Sequence, residues 1–140
     1  MLSNRRSVRI EWGDCDPAGI VYYPRYFVMF DNATHALFEL ALGMTNFEMM
    51  RSYGTVGCPM VETSARFLAP TKYGDDVTIE TTITEFRRSS FKVTHHLRKD
   101  GTVAVEALET RVWAKADPGQ PGRIKAIPVP PEVIQRFGGR

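Results

Sequence analysis

The feature that most constrains the fold is a change in hydrophobic period partway along the chain. Apolar residues recur at helical spacing from residue 23 to about residue 42, and from residue 60 onward they alternate at every second position. A helix this apolar needs a sheet to cover it, and strands joined by short turns pair antiparallel. The pattern therefore predicts an α+β domain in which an antiparallel sheet curls around one long central helix.

The predicted helix has recognisable ends and a wide apolar stripe. Pro24 suits its first turn, where a missing N–H does no harm, and Gly43 is a natural stop. A second short helix is expected over residues 46–51. Because the apolar arc is wide, we expect the long helix to be buried over much of its surface. The stripe consists of Phe27, Phe30, Ala33, Leu37 and Ala41, widened by Tyr26, Met29, Ala36 and Leu40.

Period-two alternation and turn residues place the strands. Asp100 and Gly101 form a strong hairpin signal between two of them. His95 and His96 fall on opposite faces of one strand, so one of them can be buried while the other is exposed. The predicted strands cover residues 7–12, 60–68, 77–86, 91–98 and 102–115, followed by a short strand at 123–127 and a terminal helix at 131–137.

Composition indicates one ordinary domain over residues 1–140. The formal net charge is only +2 and the basic residues are scattered, which argues against a nucleic-acid partner. The first residues lack the apolar core of a secretion signal, and no stretch is apolar enough to cross a membrane. With two cysteines, Cys15 and Cys58, a reduced chain is the simplest interpretation. We therefore expect a cytoplasmic protein.

A carboxylate on a constrained loop lies just before the helix. The segment GDCDPAG, residues 13–19, reads as a loop, and Pro17 pushes Asp16 away from helical backbone angles. The helix start that follows offers the free N–H groups of Tyr23, Arg25 and Tyr26. A carbonyl oxygen held there would be polarised while Asp16 attacked its carbon or activated a water. The alternative is that Asp16 is an ordinary turn residue.

The segment GDCDPAGIVYYPRYF resembles the signature of the 4-hydroxybenzoyl-CoA thioesterase family. Later segments resemble family segments in the same order, so the resemblance spans nearly the whole chain. It implies a hotdog fold, an acyl-CoA substrate that is hydrolysed to a free acid and CoA, and no metal or organic cofactor. These later segments are GTVGCP, YGDDVTIET, EFRRSSF and RIKAIPVP, together with the aspartate of the helix.

The resemblance also implies roles for individual residues. Asp16 is expected to be the nucleophile or general base, and the N–H of Tyr23 is expected to bind the thioester carbonyl oxygen. Asp31 is expected to line the acyl pocket and to accept a hydrogen bond from a phenol hydroxyl. Asp31 shares the helix stripe with apolar residues, so it would be a buried carboxylate in need of a donor. A Thr or Tyr hydroxyl of the protein is the competing partner.

Four polar residues between two strands are implied in CoA binding. Arginine suits the geometry of phosphate groups, and the turn places these side chains near the surface. The competing interpretation is a solvated charged turn. The residues are Arg87, Arg88, Ser89 and Ser90.

Two departures from the family pattern affect the expected acyl pocket. Cys58 stands where the hydroxybenzoyl enzyme has a threonine, and Phe47 stands where it has a tryptophan at the far end of the pocket. A thiol donates weakly, and phenylalanine lacks the indole N–H. Both changes make the pocket less polar, so benzoyl, other aromatic or short branched acyl groups become competitive substrates.

Other chemistries fit the sequence less well. Adjacent Asp14, Cys15 and Asp16 do not converge on a metal ion, and neither cysteine has a visible base nearby. A catalytically silent acyl-binding protein and an acyl-thioester dehydratase or hydratase remain the alternative functions. The latter normally relies on a histidine site, which the sequence does not offer at a helix start. The resemblance further implies a homo-oligomer, built as a dimer of dimers, with active sites at the dimer interface.

Overall fold

The computed structural model describes residues 1–139. Its main sheet has five antiparallel strands in the order β1-β3-β4-β5-β2. The predicted arrangement of an antiparallel sheet wrapped around one long helix is confirmed. The main elements are β1 (Ser3–Arg9), α1 (Pro24–Leu42), α2 (Asn46–Tyr53), β2 (Met60–Phe67), β3 (Asp76–Phe86), β4 (Ser90–Lys99), β5 (Thr102–Val112), β6 (Ala114–Ala116), β7 (Ile124–Ala126) and α3 (Pro131–Arg136).

The long helix α1 ends where its sequence predicts. Gly43 adopts a left-handed backbone with a φ of 66°, and its N–H donates to the carbonyl of Glu39. Leu40 was expected in the apolar stripe but is exposed, because the buried face turns toward Thr34, Phe38 and Leu42 instead. The buried residues of α1 are Tyr26, Met29, Phe30, Ala33, Thr34, Leu37, Phe38, Ala41 and Leu42.

The inward faces of β3 and β4 follow the predicted alternation. The aspartate and glycine of the hairpin between β4 and β5 both have positive φ, as a tight two-residue turn requires. His95 is fully buried while His96 lies on the other face, so the two histidines separate as predicted. The buried residues of the two strands are Val77, Ile79, Thr81 and Ile83 on β3, and Phe91, Val93, His95 and Leu97 on β4.

Two strand boundaries differ from the sequence prediction. β1 covers Ser3–Arg9 rather than residues 7–12, because Ile10 leaves the ladder and its N–H donates to the carbonyl of Asp75. The segment predicted as one strand at 102–115 breaks at Trp113. The N–H of Trp113 donates to Ser89 and its carbonyl accepts from Ile127, so the chain turns from β5 into the separate β6–β7 pair.

The edge strand β2 is open to solvent on both faces. Seven of its eight residues are exposed, and Ala65 alone is partly buried. Val61 keeps 63% of its surface exposed, although a strand that packs on a core buries such a residue. Within residues 1–139, no helix combines the length and apolar character that crossing a membrane needs.

Candidate active site

The loop that carries Asp16 is a small hairpin stapled by backbone hydrogen bonds. The N–H of Asp16 donates to Ile20 at 3.0 Å, and the N–H of Tyr22 donates to Asp14 at 2.8 Å. Asp16 Oδ1 accepts from the N–H of Ala18 at 2.8 Å. Its other carboxylate oxygen has no hydrogen-bond partner within residues 1–139. One oxygen therefore fixes the side chain, and the other accepts no hydrogen bond from the described residues.

The start of α1 leaves fewer free donors than the sequence suggests. The N–H of Arg25 donates to Tyr22 at 2.8 Å, and the N–H of Tyr26 donates to Tyr23 at 3.1 Å. Of the three groups expected to be available, the Tyr23 N–H alone lacks an acceptor in the described part of the chain. It lies at the positive end of the helix dipole, where an anionic oxygen is stabilised.

Asp16 and Tyr23 line two neighbouring concavities of the same protomer. Asp16 lies in a concavity of about 370 Å³ with the aromatic rings of Trp12 and Tyr73. Tyr23 lies in another of about 370 Å³, between the start of α1 and Phe67 at the end of β2. Neither of these two cavities is lined by both Asp16 and Tyr23.

Asp31 is held by an arginine and not by a hydroxyl group. Arg111 Nη2 donates to Asp31 Oδ1 at 2.7 Å across 80 positions of sequence. The Asp31 side chain is 52% exposed, which corrects the expectation of a buried carboxylate. The reason is that this side of α1 is open, since Val28 and Asn32 beside Asp31 are exposed as well. His35 Nδ1 lies 3.6 Å from the same oxygen, and Oδ2 has no partner within residues 1–139.

Arg111 belongs to a buried charged network that the sequence analysis missed. Its Nε donates to Glu109 Oε1 at 2.9 Å, and Thr34 donates to the same oxygen at 2.6 Å. His95 Nε2 lies 3.4 Å from Glu109 Oε2, and the imidazole stacks on Phe30. A sequence signal existed, because Glu109 and Arg111 occupy inward positions of β5, where apolar residues are the norm.

The network controls the ionisation of its members. Burial alone would raise the pKa of Glu109, but hydrogen bonds from His95 and Arg111 lower that pKa to about 2. Burial works against the charge of Arg111, yet the carboxylates of Glu109 and Asp31 raise its pKa above the ordinary value. Glu109 and Arg111 are therefore both charged at neutral pH, and they form a buried ion pair.

Cys58 and Phe47 occupy different environments. Cys58 is buried and lines a concavity of about 250 Å³ with His35, Asn46 and Met49. Burial raises the pKa of its thiol to about 12, so it remains protonated at neutral pH and is a poor nucleophile. Phe47 is 79% exposed on α2 in the protomer. Whether Phe47 lines an acyl pocket stays a prediction.

Three of the four predicted CoA-binding residues, Arg87 to Ser89, form the turn between β3 and β4, and Ser90 begins β4. Arg87 donates to Glu85 at 3.1 Å, while Arg88 is exposed. Asp16 is tied to the opposite end of β3, because Ile20 in its hairpin pairs with Lys72 just before that strand. Since β3 has 11 residues, roughly 30 Å separate its two ends. One protomer therefore places Asp16 and the arginine turn far apart.

No group of three or more His, Cys, Asp or Glu side chains within residues 1–139 is arranged to hold a metal ion.

Residues 10–137 match the model of the thioesterase-like superfamily. The chain is 39% identical over 133 residues to 4-hydroxybenzoyl-CoA thioesterase from Pseudomonas sp. strain CBS-3, which covers 91% of this chain and 92% of the relative. It is 30% identical over 91 residues to 1,4-dihydroxy-2-naphthoyl-CoA hydrolase from Synechococcus elongatus, covering 63% of this chain and 64% of the relative.

Solved structures give the same picture. The structure of the Pseudomonas 4-hydroxybenzoyl-CoA thioesterase superposes with a TM-score of 0.88 at 37% identity, covering 96% of this chain and 98% of the other. A gentisyl-coenzyme A thioesterase superposes with a TM-score of 0.83 at 34% identity, covering 96% of this chain and 99% of the other. The hotdog fold expected from the resemblance is thereby confirmed.

Proposed function

The chain belongs to the thioesterase-like superfamily, and from that membership we propose that it is an acyl-CoA thioesterase acting on aromatic acyl groups. The relatives and solved structures named above are called 4-hydroxybenzoyl-CoA, 1,4-dihydroxy-2-naphthoyl-CoA and gentisyl-CoA hydrolases or thioesterases. Their acyl groups share one chemistry, an aromatic acid with at least one ring hydroxyl. We assign the same class of substrate to this chain, with benzoyl-CoA as the competing ester.

The observation that carries the proposal is the state of the Asp16 carboxylate. It is fixed through one oxygen by the N–H of Ala18, and its second oxygen is free at an open concavity. An aspartate-to-asparagine variant of a 4-hydroxybenzoyl-CoA thioesterase, 36% identical to this chain, has been solved with 4-hydroxybenzoyl-CoA. A variant that lacks one carboxylate and holds the thioester supports a catalytic role for an aspartate in that family.

Two routes lead from this geometry to the products. In one, Asp16 attacks the thioester carbon, the C–S bond breaks, CoA leaves as a thiolate that takes up a proton, and water then hydrolyses the mixed anhydride. In the other, Asp16 takes a proton from water while the oxygen of that water attacks the same carbon; the C–S bond then breaks, and the departing CoA thiolate takes up the proton from Asp16. In both, the Tyr23 N–H donates to the carbonyl oxygen as negative charge develops on it.

The test of the proposal is Asp16→Asn in a thiol-release assay on 4-hydroxybenzoyl-, benzoyl-, phenylacetyl- and short aliphatic CoA esters. Removing the attacking or proton-accepting group should lower kcat by about a thousandfold. Asp14→Asn is the matched control, because that neighbouring carboxylate only caps the N–H of Glu11. An Asp16→Asn enzyme that turns over its best ester at the wild-type rate contradicts the proposal.

The wild-type enzyme can distinguish the anhydride route from the general-base route. A single turnover in ¹⁸O-labelled water places label in the Asp16 carboxylate if an anhydride forms, because water can attack the anhydride at the aspartyl carbon. If Asp16 acts as a base on water, the label is expected in the product acid alone.

The acyl pocket follows from the same comparison. Asp31 has one oxygen free, and it accepts the hydrogen bond of a ring hydroxyl in this proposal. Cys58 and Phe47 form less polar walls than threonine and tryptophan would. Asp31→Asn is therefore expected to reduce activity on hydroxylated esters more than on benzoyl-CoA.

We further propose that the protein works as a homo-oligomer, a dimer of dimers, in the cytoplasm. The exposed edge of β2 supports the oligomer, since an uncovered edge strand with apolar side chains is prone to pair with a second copy. Free thiols at Cys15 and Cys58 suit a reducing compartment. The phosphates of CoA bound at a neighbouring protomer are contacted by the four polar residues Arg87, Arg88, Ser89 and Ser90.

A further inference from the structure

We propose that Arg111 is the positioning residue for acyl selection: it fixes Asp31 through one carboxylate oxygen and leaves the other as the single acceptor for a hydroxyl on the acyl group. The inference rests on the proposed function and deepens it. Arg111 is not expected to touch the substrate, so its effect passes through Asp31.

The guanidinium of Arg111 is held on three sides. Nε and Nη2 donate to the two oxygens of Glu109, at 2.9 and 3.2 Å, and Nη1 donates to the carbonyl of Cys58 at 3.1 Å. The side chain is 4% exposed. A planar group with its orientation fixed in this way offers the bond to Asp31 in one direction only.

Glu109 is itself fixed from behind. Thr34 donates to it at 2.6 Å, and the imidazole of His95 lies beside its second oxygen and is tied to Thr81 at 2.8 Å. The chain of contacts therefore runs from the interior of the sheet to the surface of α1. Its last member, Asp31, is also the first one that solvent or a ligand reaches.

This arrangement has a consequence for selectivity. Without Arg111, the half-exposed Asp31 side chain would be free to change rotamer, and both oxygens would be solvated. With Arg111, one oxygen is occupied, so the remaining oxygen faces the ligand in a fixed place. A donor hydroxyl gains a charge-assisted hydrogen bond there, whereas an unsubstituted ring gains nothing.

Arg111→Lys is the variant that tests the inference. Lysine keeps the buried positive charge beside Glu109 but cannot donate to Glu109, Cys58 and Asp31 in one plane. Removing the charge altogether would leave Glu109 buried without its partner and risk misfolding. Arg98→Lys is the matched control, because Arg98 pairs with Glu80 on the opposite face of the sheet.

The measurement is the ratio of Kd values for benzoyl-CoA and 4-hydroxybenzoyl-CoA by titration calorimetry. All variants carry Asp16→Asn, so binding is read without turnover. Arg111→Lys should lower the ratio by about tenfold, as loss of one charge-assisted hydrogen bond implies, and Arg98→Lys should leave it unchanged. Asp31→Asn should abolish the preference, and adding Arg111→Lys to it should change nothing further.

The outcomes distinguish failure of the inference about Arg111 from failure of the proposed function. If Arg111→Lys weakens both esters equally, or if its effect multiplies with that of Asp31→Asn, Arg111 has a structural role only and the inference is overturned. If Asp31→Asn leaves the Kd ratio unchanged, Asp31 does not bind the ring hydroxyl, and the inference about Arg111 is overturned as well. If the chain with Asp16 intact binds both esters but hydrolyses neither, the proposed function is contradicted instead. The Kd ratio still decides the role of Arg111 in that case.

Discussion

A buried charge is the most demanding residue-scale feature of this protein. Glu109 is 2% exposed, and a carboxylate in that position is stable only when its oxygens are bonded. Thr34 and Arg111 donate to it, and His95 lies alongside. Since these donors come from α1, β4 and β5, the ion pair fixes the helix against the sheet at the level of Asp31. Its effect on stability should therefore depend on pH.

We predict that Glu109→Gln destabilises the fold at neutral pH and matters less in acid. The pKa of Glu109 is about 2 in the folded protein, whereas the ordinary value for a glutamate is 4.5. A lowered carboxylate pKa contributes stability that is fully present above about pH 4.5 and is lost as pH falls toward 2. The contribution is about 3 kcal/mol. Urea unfolding of the wild type and the variant should show a gap of that size at pH 7.

The gap between the two proteins should narrow between pH 4.5 and pH 2.5. Glu106→Gln is the control, because Glu106 pairs with Arg66 at the surface and such pairs contribute less than about 1 kcal/mol. If the difference in unfolding free energy between the wild type and Glu109→Gln stays constant down to pH 2.5, the buried contacts do not stabilise the ionised carboxylate.

At the scale of elements, the position of α1 determines the site. Its first turn presents the Tyr23 N–H, its middle carries Asp31, and its end is fixed by Gly43 and by packing of Phe38 on Phe91, Trp113 and Phe137. An unravelled last turn would loosen α2 and, with it, the concavity at Cys58. The left-handed cap at Gly43 is therefore part of what holds the predicted acyl pocket together.

We predict that Gly43→Ala costs about 1–2 kcal/mol of stability. An added Cβ meets no atom within 4 Å, so the penalty comes from the left-handed backbone and not from a clash. Gly13→Ala is the matched control, since Gly13 also has open space around it but no positive φ. Thermal unfolding of both variants measures the difference. Equal Tm values for the two would contradict this account of the cap.

The sequence predicted the elements better than it predicted their contacts. The period of α1 and the alternation in β3 and β4 are local signals, so their extent and inward faces were predictable. The true start of β1 was not, because an exposed edge strand such as Ser3–Arg9 needs no apolar alternation. The bond between Asp31 and Arg111 joins residues 80 positions apart. Periodicity places both side chains on their elements but does not indicate that they meet.

At the scale of the whole molecule, the predicted site residues lie at both ends of one strand. Asp16 is tied to the start of β3, and Arg87 and Arg88 follow its end. The ends of a strand of this length are roughly 30 Å apart. If β2 pairs with a second copy, antiparallel pairing would bring the arginine end of one chain toward the Asp16 end of another. Each active site would then be shared between chains.

Mixed oligomers test this sharing directly. We predict that Asp16→Asn alone keeps only about a thousandth of the wild-type kcat. Arg87→Ala/Arg88→Ala should raise KM for CoA esters by about tenfold through lost phosphate contacts and leave KM for a truncated thioester unchanged. A hetero-oligomer of the two, purified through different tags, contains sites where Asp16 of one chain meets the intact arginines of the other. Such sites should restore a component with the wild-type KM. If each site is built from one chain only, every site that keeps Asp16 also keeps the altered turn, and the mixture will show the raised KM alone.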